Sequence, residues 1–370
     1  MLRPTGLRPS DRSMNTLSRL LLPRDGETSL SFKNAELISE FKEMSRDEFD
    51  ELLTLASSNH VVVRGLEVFL TFMREAQDEQ RTQWATAALA GERDRIQNAL
   101  SFLRELCRAF DEEGHDVTVI KSLDHWPDLG SDLDLYTNAN SEEVSQVMKR
   151  RFHAQIAPRS WGDRLAQKWN FLIPGLPEAV EIHMGRLGQT GEQVAIASRL
   201  PQRARLVRIG DNAFRVPAIS DRIVISTLQR MYRHFYFRLC DIIDSAGLVE
   251  IGAIDYDDLH SSAKAAEIWE GVATYLVIVS DYVRSYRCSG LDLPQFVRAS
   301  ARFGGDQIYF AREFLRIPIM PQSASLYRSQ LGGLLRKREL QSSARLGLLP
   351  WLATAAVVGQ KITGSDKGIW

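Results

Sequence analysis

Apolar residues recur at three- and four-residue spacing along the first third of the chain, with charged residues between them. Stretches such as "AELISEFKEM" and "IQNALSFLRELCRAF" are typical of helices with one buried face. In the second stretch one stripe is formed by Ile96, Leu100, Leu103, Cys107 and Phe110, and Gly114 is placed to end the helix. This pattern predicts a helical segment over residues 31–114. A polar, flexible leader is predicted over 1–30, within which Met14 is a second candidate start.

The period then shortens to two, which is typical of strands. Short runs rich in β-branched and aromatic residues predict strands at 116–122, 132–137, 168–174, 178–185, 204–210 and 213–217. A helix is predicted over 141–152, with Ser141 as its N-cap and with acidic residues early and basic residues late. Residues 115–217 are therefore predicted to form a compact α/β unit.

Helical spacing returns at Ser220 and predicts one continuous helix through "SDRIVISTLQRMYRHFYFRLCDIIDSAGLV", capped by that serine. Further helices are predicted to about residue 317, within a helical C-terminal domain over 218–370. The expected fold class is thus α+β: a small mixed sheet with flanking helices, between an N-terminal helical segment and a C-terminal helical domain.

Charge and composition reduce the number of functions and locations that are compatible with the sequence. The net charge of -1 provides no overall field for a polyanion, so stable DNA binding is not expected. The three cysteines are far apart and form no C-x-x-C pair, as in a reducing cytoplasm. The apolar stretch "GLLPWLATAAVVG" is too short to span a bilayer and contains a proline, and the first 25 residues lack an apolar signal core. A cytoplasmic protein without a transmembrane segment is predicted.

The run "GSDLDLY" places Asp132 and Asp134 on one face of a strand and Leu133 and Leu135 on the other. Two carboxylates about 6–7 Å apart along a strand repel each other unless a cation lies between them, and Mg²⁺ prefers such oxygen ligands. An acidic strand face exposed to solvent is the alternative. Glu181 favours the metal, because an acid inside the apolar strand "AVEIHM" needs a partner.

Together, "IKSLDHWPDLGSDLDLY" and "AVEIHMG" resemble the DNA polymerase β-like nucleotidyltransferase superfamily. Members have a short turn with Gly-Gly or Gly-Ser, an acid-x-acid strand about ten residues later, and a third acid on a neighbouring strand. The chain is most similar to a bacterial family of uncharacterised nucleotidyltransferases with the pattern "LKG…GDxDLL", an acid-x-His strand, and a helix with a histidine and an Asp-Ile pair. The motifs cover roughly residues 100–250. Ser122 stands where that family usually has glycine.

The resemblance implies a chemistry. Asp132, Asp134 and Glu181 would hold two Mg²⁺ ions that bind the triphosphate of an NTP such as ATP, and Glu181 would also take the proton of the attacking hydroxyl. Lys121 and Ser122 would contact the β- and γ-phosphates, with Ser131 beside the acid pair. Lys121 as a solvated lysine is an equal alternative, and both side chains can serve only if the turn twists.

Helical spacing also places Arg230, His234, Arg238 and Asp241 on one polar stripe. The resemblance puts this helix beside the nucleotide, whereas a solvated stripe is the alternative. His183 shares the face of Glu181 and would contact metal or phosphate, or else be a buried, hydrogen-bonded histidine.

Three functions therefore stand open. The first is a Mg²⁺-dependent nucleotidyltransferase that moves an NMP onto a hydroxyl of a small molecule, a protein or RNA. The second is a catalytically weak protein of the same fold that binds a nucleotide or a partner, for which Ser122 is the support. The third is a helical interaction protein in which the acid triad is accidental.

Overall fold

Helices with strong N-terminal caps make up the first part of the chain. The computed structural model describes residues 9–22, 32–352 and 354–355. The helices here are α1 (Pro9–Leu21), α2 (Phe32–Glu43), α3 (Arg46–Ser58), α4 (Val62–Glu75) and α5 (Glu79–Glu112). Ser45 and Glu48 form a reciprocal capping box at α3, and Asp78 accepts a backbone N–H at the start of α5. Helices α2 to α5 thus make up nearly all of residues 32–112.

The stripe predicted on α5 is buried. Ile96, Leu100, Leu103 and Phe110 are all buried, and Cys107 is half-buried. Gly114 follows the helix with a φ of 79°, a left-handed conformation that glycine adopts without a side-chain clash.

Part of the predicted leader is a packed helix. Within α1, Met14, Leu17 and Leu20 are buried, and the helix packs against α3 and α4. The flexible-leader prediction is wrong for these residues, because the leucine spacing gives the helix an apolar face that the polar residues around it obscure. Residues 1–8 and 23–31 lie outside the described residues.

A mixed five-stranded sheet follows, in the order β1-β2-β5-β4-β3. Its strands are β1 (Val117–Val119), β2 (Asp132–Thr137), β3 (Gln155–Ile156), β4 (Lys168–Leu172) and β5 (Ala179–Met184). β2 and β5 run parallel, whereas β1 pairs antiparallel with β2, and β4 pairs antiparallel with both β5 and β3. The α+β class and its small mixed sheet with flanking helices are therefore shown.

Alternation along β2 sorts its side chains as predicted. Leu133 and Leu135 are fully buried on the core side, Asp132 is exposed and Asp134 is half-buried. The opposite face of this central strand thus carries its carboxylates away from the apolar core.

The remaining elements of this unit are helices α6 (Ser141–Phe152), α7 (Trp161–Leu165) and α8 (Val194–Arg203) and a separate hairpin of β6 (Arg205–Ile209) and β7 (Asn212–Val216). The two strands predicted over 204–210 and 213–217 are confirmed, and the hairpin that they form packs against β1. The N-cap of α6 is Asn140 rather than Ser141, because the Asn140 side chain accepts the N–H groups of Glu142 and Glu143.

The predicted continuous helix after Ser220 is wrong. The chain forms α9 (Ile219–Thr227), a π-helical turn over Leu228–His234, a short strand β8 (Tyr236–Phe237) and α10 (Leu239–Glu250). Phe235 breaks the helix with a φ of 56°. Ser220 lies inside α9 and is not its cap, since α9 follows Ala218 without a side-chain cap.

The C-terminal part is mostly helical but not entirely so. Its helices are α11 (Tyr256–Ala265), α12 (Trp269–Arg287), α13 (Gln295–Ser300), α14 (Ala324–Arg336) and α15 (Leu340–Gly347), with a 3₁₀ turn at Gly305–Gln307 and a π-helical turn at Ile319–Ser323. Strands β9 (Tyr309–Ala311) and β10 (Phe314–Arg316) join β8 in a three-stranded sheet that the sequence did not predict.

One hydrophobic core runs through all three predicted segments. It extends from Met14 through the central sheet residue Leu133 to Leu326. The segments therefore pack as parts of one body, and the N-terminal and C-terminal helical parts also contact each other directly, for example between Ser18 and Tyr282. Within the described residues no helix is both long and apolar enough to cross a bilayer.

Candidate functional site

The parallel pairing of β2 with β5 places two carboxylates side by side. Asp134 lies opposite Glu181 in the strand register, and both project from the same face of the sheet. Oxygens of these two residues and a ring nitrogen of His183 lie within 4.8 Å of one another. The sheet thus brings Asp134 on β2 together with Glu181 and His183, which lie two residues apart on β5.

Asp132 lies on the same strand as Asp134, two residues before it and outside this group. It begins β2, pairs in register with Ala179, and is exposed at the edge of the same cavity. Ser131 also lines the cavity, and its hydroxyl donates a weak hydrogen bond of 3.5 Å to Asp132 Oδ2.

Two lysines pair with these carboxylates. Lys121 Nζ contacts Asp134 Oδ1 directly and lies 3.2 Å from Glu181 Oε1. Lys168 Nζ lies 2.8 Å from Glu181 Oε2 and 2.8 Å from Asp163 Oδ1, in a buried position at the start of β4. Lys121 therefore lies on the carboxylates rather than free for phosphates as the sequence predicted.

The twist that Lys121 and Ser122 require is present. Lys121 has a φ of 64°, and both residues line the cavity. The Ser122 hydroxyl accepts the N–H of Asp134 at 2.7 Å and donates to the carbonyl of Asp132 at 3.3 Å. Ser122 thus ties the turn after β1 to strand β2, and its hydroxyl is engaged with the backbone instead of facing a phosphate.

His183 has features of both roles predicted for it, contact with a metal or phosphate and a buried, hydrogen-bonded histidine. Its Nε2 lies 2.8 Å from Glu181 Oε1 and 3.9 Å from Asp134 Oδ1, while its Nδ1 has no hydrogen-bond partner among the described residues. It lines a small neighbouring cavity of ≈ 30 Å³ together with Lys121 and Arg233. It is buried behind the carboxylates and orients Glu181.

Cationic and aromatic residues form the wall that faces the carboxylates. The π-helical turn contributes Arg230, Arg233 and His234, β8 contributes Tyr236, and Arg238 comes from the start of α10. Since the chain breaks at Phe235, the predicted single helical stripe does not exist. Arg230, His234 and Arg238 nevertheless reach the same cavity from two different elements.

Asp241 does not belong to this wall. Its carboxylate lies 2.7 Å from Arg230 Nε and accepts the N–H of Arg238 at 2.7 Å, which caps α10. Both Asp241 and Arg230 are about 3% exposed, so this is a buried structural ion pair. The nucleotide-binding role predicted for Asp241 is not supported by its position.

The cavity between the two walls has a volume of ≈ 160 Å³. Its lining residues are His60, Lys121, Ser122, His125, Gly130, Ser131, Asp132, Asp134, Glu181, Gln229, Arg230, Arg233, His234, Tyr236 and Arg238. One cavity thus has carboxylates on one side and guanidinium groups on the other, which suits a ligand that carries both a cation and an anionic group. A larger groove of ≈ 530 Å³ lies between α1, α2 and α3, where glutamates predominate among its polar residues.

Neither a known family model nor a curated protein matches this chain.

Loss of hydration raises the pKa of Asp132 and would raise that of Glu181, and the neighbouring charges add to this effect at Asp132 but oppose it at Glu181. Asp132 remains accessible at the edge of the cavity, but partial loss of hydration at its carboxylate, together with the negative charges of Asp134 and Glu181, raises its pKa from 3.8 to about 6. Burial would also raise the pKa of Glu181, but Lys121, Lys168 and His183 outweigh it and hold that pKa well below its usual value. The pKa of Lys121 is raised despite its burial, because Asp134 and Glu181 stabilise the ammonium form.

The donor set fits a hard dication. Asp134 and Glu181 offer adjacent oxygens, with the Asp132 carboxylate next along the strand, and oxygen ligands are those that Mg²⁺ prefers. The ammonium of Lys121 already pairs with both inner carboxylates, so a metal at these oxygens requires that Lys121 move away.

Asp132→Asn is expected to stabilise the metal-free protein at pH 7.5. The folded-state pKa of about 6 exceeds the ordinary 3.8, so the charged form is disfavoured by folding above pH 6. The gain should shrink as the pH falls from 6 towards 4, where wild-type Asp132 is itself neutral. Discounted for solvent screening, the gain is about 1 kcal/mol, or about 1 °C in Tm.

Thermal melts of both proteins in metal-free buffer between pH 4 and 8 measure this. A pH-independent difference in Tm would contradict it.

Sequence reasoning missed several residues of the site. Arg233, Gln229 and Tyr236 line the cavity, and Lys168 pairs with Glu181. A signal for Lys168 was present: a lysine begins the otherwise mostly apolar run "KWNFL" and shares its strand face with Asn170, which pairs with Glu181. His60 and His125 had no such signal, because each lies in a loop.

Proposed function

We propose that this chain is a Mg²⁺-dependent nucleotidyltransferase that moves an NMP from an NTP onto a hydroxyl acceptor. The observation that supports this best is the single cavity in which Asp132, Asp134 and Glu181, on two paired parallel strands, face Arg233 and Arg238. Carboxylates that hold a cation and guanidinium groups that hold phosphate are both needed by this reaction.

Asp134 and Glu181 would hold the metal, with Asp132 beside them. When bound, Mg²⁺ would neutralise the triphosphate and stabilise charge on the entering and leaving oxygens during displacement at the α-phosphorus. Glu181 has contacts with Lys121, Lys168 and His183 at 2.8–3.2 Å. We therefore assign Glu181 to ligation and positioning rather than to the proton transfer first expected of it.

The opposite wall would bind the phosphates. Arg230 is committed to Asp241, so the cations left for the triphosphate are Arg233 and Arg238, joined by Lys121 if a metal displaces it from the carboxylates. Burial and the nearby arginines lower the pKa of His234 well below its usual value, so its ring is neutral at pH 7 and offers hydrogen bonds rather than charge.

A second function is favoured by one specific observation. Lys121 neutralises Asp134 and Glu181 without any metal, and Ser122 uses its hydroxyl on the backbone of β2. These contacts suit a catalytically weak protein of the nucleotidyltransferase fold, which binds a nucleotide without transferring it. The two functions differ in whether Mg²⁺ displaces Lys121.

A labelling experiment tests the proposal. The purified full chain is incubated with each α-³²P-labelled NTP, Mg²⁺, and the RNA, protein and metabolite fractions of a lysate. Transfer of an NMP should place label in one fraction, whereas γ-labelled NTP or added EDTA should give none. Nucleotide binding without incorporation of label supports the second function. The absence of any nucleotide binding would exclude both functions. The near-neutral charge favours no acceptor, so a small molecule, a protein and RNA are all assayed.

Lys121→Met is expected to tighten Mg²⁺ binding to the nucleotide-free protein about tenfold, because it removes the ammonium that competes for the same carboxylates. It should also raise the KM for NTP if Lys121 moves onto the phosphates. Isothermal titration with Mg²⁺ and steady-state kinetics measure the two effects. The exposed Lys149, changed to Met, is the matched control. Unchanged Mg²⁺ affinity in Lys121→Met would show that the metal does not share the lysine's site.

A further inference from the structure

A second group of side chains that can bind a metal comes from three places that are distant in sequence: two loops and the start of a helix. His60 lies between α3 and α4, His125 lies in the loop between β1 and β2, and Cys240 lies in the first turn of α10. One ligand atom from each lies within 4.8 Å of the others. We propose that these residues form a Zn²⁺ site with three protein ligands. This proposal is independent of the nucleotidyltransferase proposal.

The best-defined distance in the cluster suits tetrahedral zinc. His125 Nε2 lies 3.6 Å from Cys240 Sγ. Zinc with its usual bond lengths of about 2.0–2.1 Å to nitrogen and about 2.3 Å to sulfur spaces two tetrahedral ligands about 3.6 Å apart. The two atoms therefore already have the separation that a shared zinc ion requires. Imidazole and thiolate are ligands that zinc prefers and Mg²⁺ does not.

His125 has the orienting partner typical of a metal-binding histidine. Its Nδ1 lies 2.5 Å from Asp244 Oδ2, so Nε2 is the nitrogen left for a metal. Arg64 holds Asp244 at 2.6 Å and Asp128 at 2.7 Å. Asp244 follows Cys240 by one helical turn, and the two side chains thus lie on the same face of α10. One turn of helix provides both a ligand and the group that aligns another ligand.

Asn59 fixes the third ligand relative to α10. This buried residue precedes His60, and it accepts the N–H of Leu239 on its side chain at 3.0 Å and that of Cys240 on its carbonyl at 3.3 Å. His60 Nδ1 has only a weak contact of 3.4 Å with Arg238 Nη1, which a metal at that nitrogen would replace. The backbone thus holds the cluster in place.

The cluster borders the cavity described above. Cys240 is fully buried, whereas His60 and His125 both line the cavity. A fourth ligand position of the zinc would therefore face the cavity, where water or a ligand can enter. Three protein ligands and one open position are characteristic of zinc sites that take part in binding or reaction rather than purely structural ones.

Metal content and cobalt spectroscopy test the proposal. The full chain is purified, its zinc content is measured by mass spectrometry, and the chelator-treated protein is titrated with Co²⁺. The expected results are about one zinc per chain and, with Co²⁺, a near-UV thiolate-to-cobalt charge-transfer band with visible bands of tetrahedral intensity. Less than about 0.1 zinc per chain together with no charge-transfer band would overturn the site.

Variants locate the metal. Cys240→Ser should abolish the charge-transfer band, and Asp244→Asn should weaken Co²⁺ binding about 10- to 100-fold while the band remains. Cys288→Ser, which alters an exposed free thiol, and Asp134→Asn in the carboxylate group should leave the band unchanged. A band that survives in Cys240→Ser would place the metal elsewhere and overturn the assignment. If Cys240→Ser fails to fold by circular dichroism, the wild-type spectrum compared with Cys288→Ser and Cys107→Ser still decides whether a thiolate other than these two binds the metal.

Discussion

Asp134→Asn is expected to lower nucleotidyl transfer about a thousandfold or more. Asp134 lies opposite Glu181 in the paired strands, so the substitution removes one of the two inner carboxylates at the centre of the site. The loss of a charged group that stabilises the transition state typically costs a factor of this size. The measurement is incorporation of α-³²P label, with the acceptor fraction found in the wild-type screen.

The same variant should still bind nucleotide. Without metal, the neutral amide that replaces the Asp134 carboxylate does not repel the triphosphate, so the affinity for NTP in EDTA should be equal to or higher than that of the wild type. Asp211→Asn is the matched control, since Asp211 is an exposed residue in the turn between β6 and β7. Transfer at the wild-type rate by Asp134→Asn would rule out the proposed catalytic role. Activity losses of equal size in both variants would point to a general defect instead.

Lys168→Met is expected to destabilise the fold by about 3 kcal/mol. Lys168 is 5% exposed and its ammonium lies 2.8 Å from both Asp163 and Glu181. Removal of one partner of a buried ion pair leaves its carboxylate desolvated without a countercharge, which typically costs about 3–5 kcal/mol. Because Lys121 and His183 also contact Glu181, the lower end of that range applies. Urea unfolding of variant and wild type at pH 7.5 measures the change.

Two further variants separate charge from packing. Lys149→Met changes an exposed lysine and should alter the free energy of unfolding by less than about 0.5 kcal/mol. Glu181→Gln combined with Lys168→Met should cost less than the sum of the two single substitutions, because the second change removes the charge that the first leaves unpaired. Additive losses would mean that Lys168 and Glu181 do not interact as the structure indicates.

The two predictions probe opposite demands on the same carboxylates. For stability, Glu181 and Asp134 need the lysines; for the proposed catalysis, they would have to exchange one lysine for a metal. Lys168 is buried on the same sheet face as Glu181 and also pairs with Asp163, whereas Lys121 lies at a twisted turn that lines the cavity. We therefore expect Lys168 to stay on Glu181 and Lys121 to move away from the carboxylates when a metal binds.

Local patterns were enough to predict much of the architecture. The helices of the N-terminal segment, the strands of the central sheet and the hairpin of β6 and β7 all follow from the spacing of apolar residues. Local reasoning failed where a continuous pattern hid a break, as at Phe235. There "MYRHFYFRLCDII" keeps helical spacing while the backbone turns through a left-handed residue into a strand. Pairing of β8 with β10, which lies about 80 residues further on, overrides the local preference.

By itself the sequence determined which side chains share a face. Asp132 and Asp134 project away from Leu133 and Leu135, and Glu181 projects with His183, because a strand alternates its side chains whatever it packs against. Only the tertiary structure decided what meets those faces. The parallel pairing of β2 with β5, the lysines on the carboxylates, and the meeting of His60, His125 and Cys240 all join residues that lie on different elements or loops of the chain. Such contacts depend on how the chain as a whole buries its apolar surface, and no short-range spacing records them.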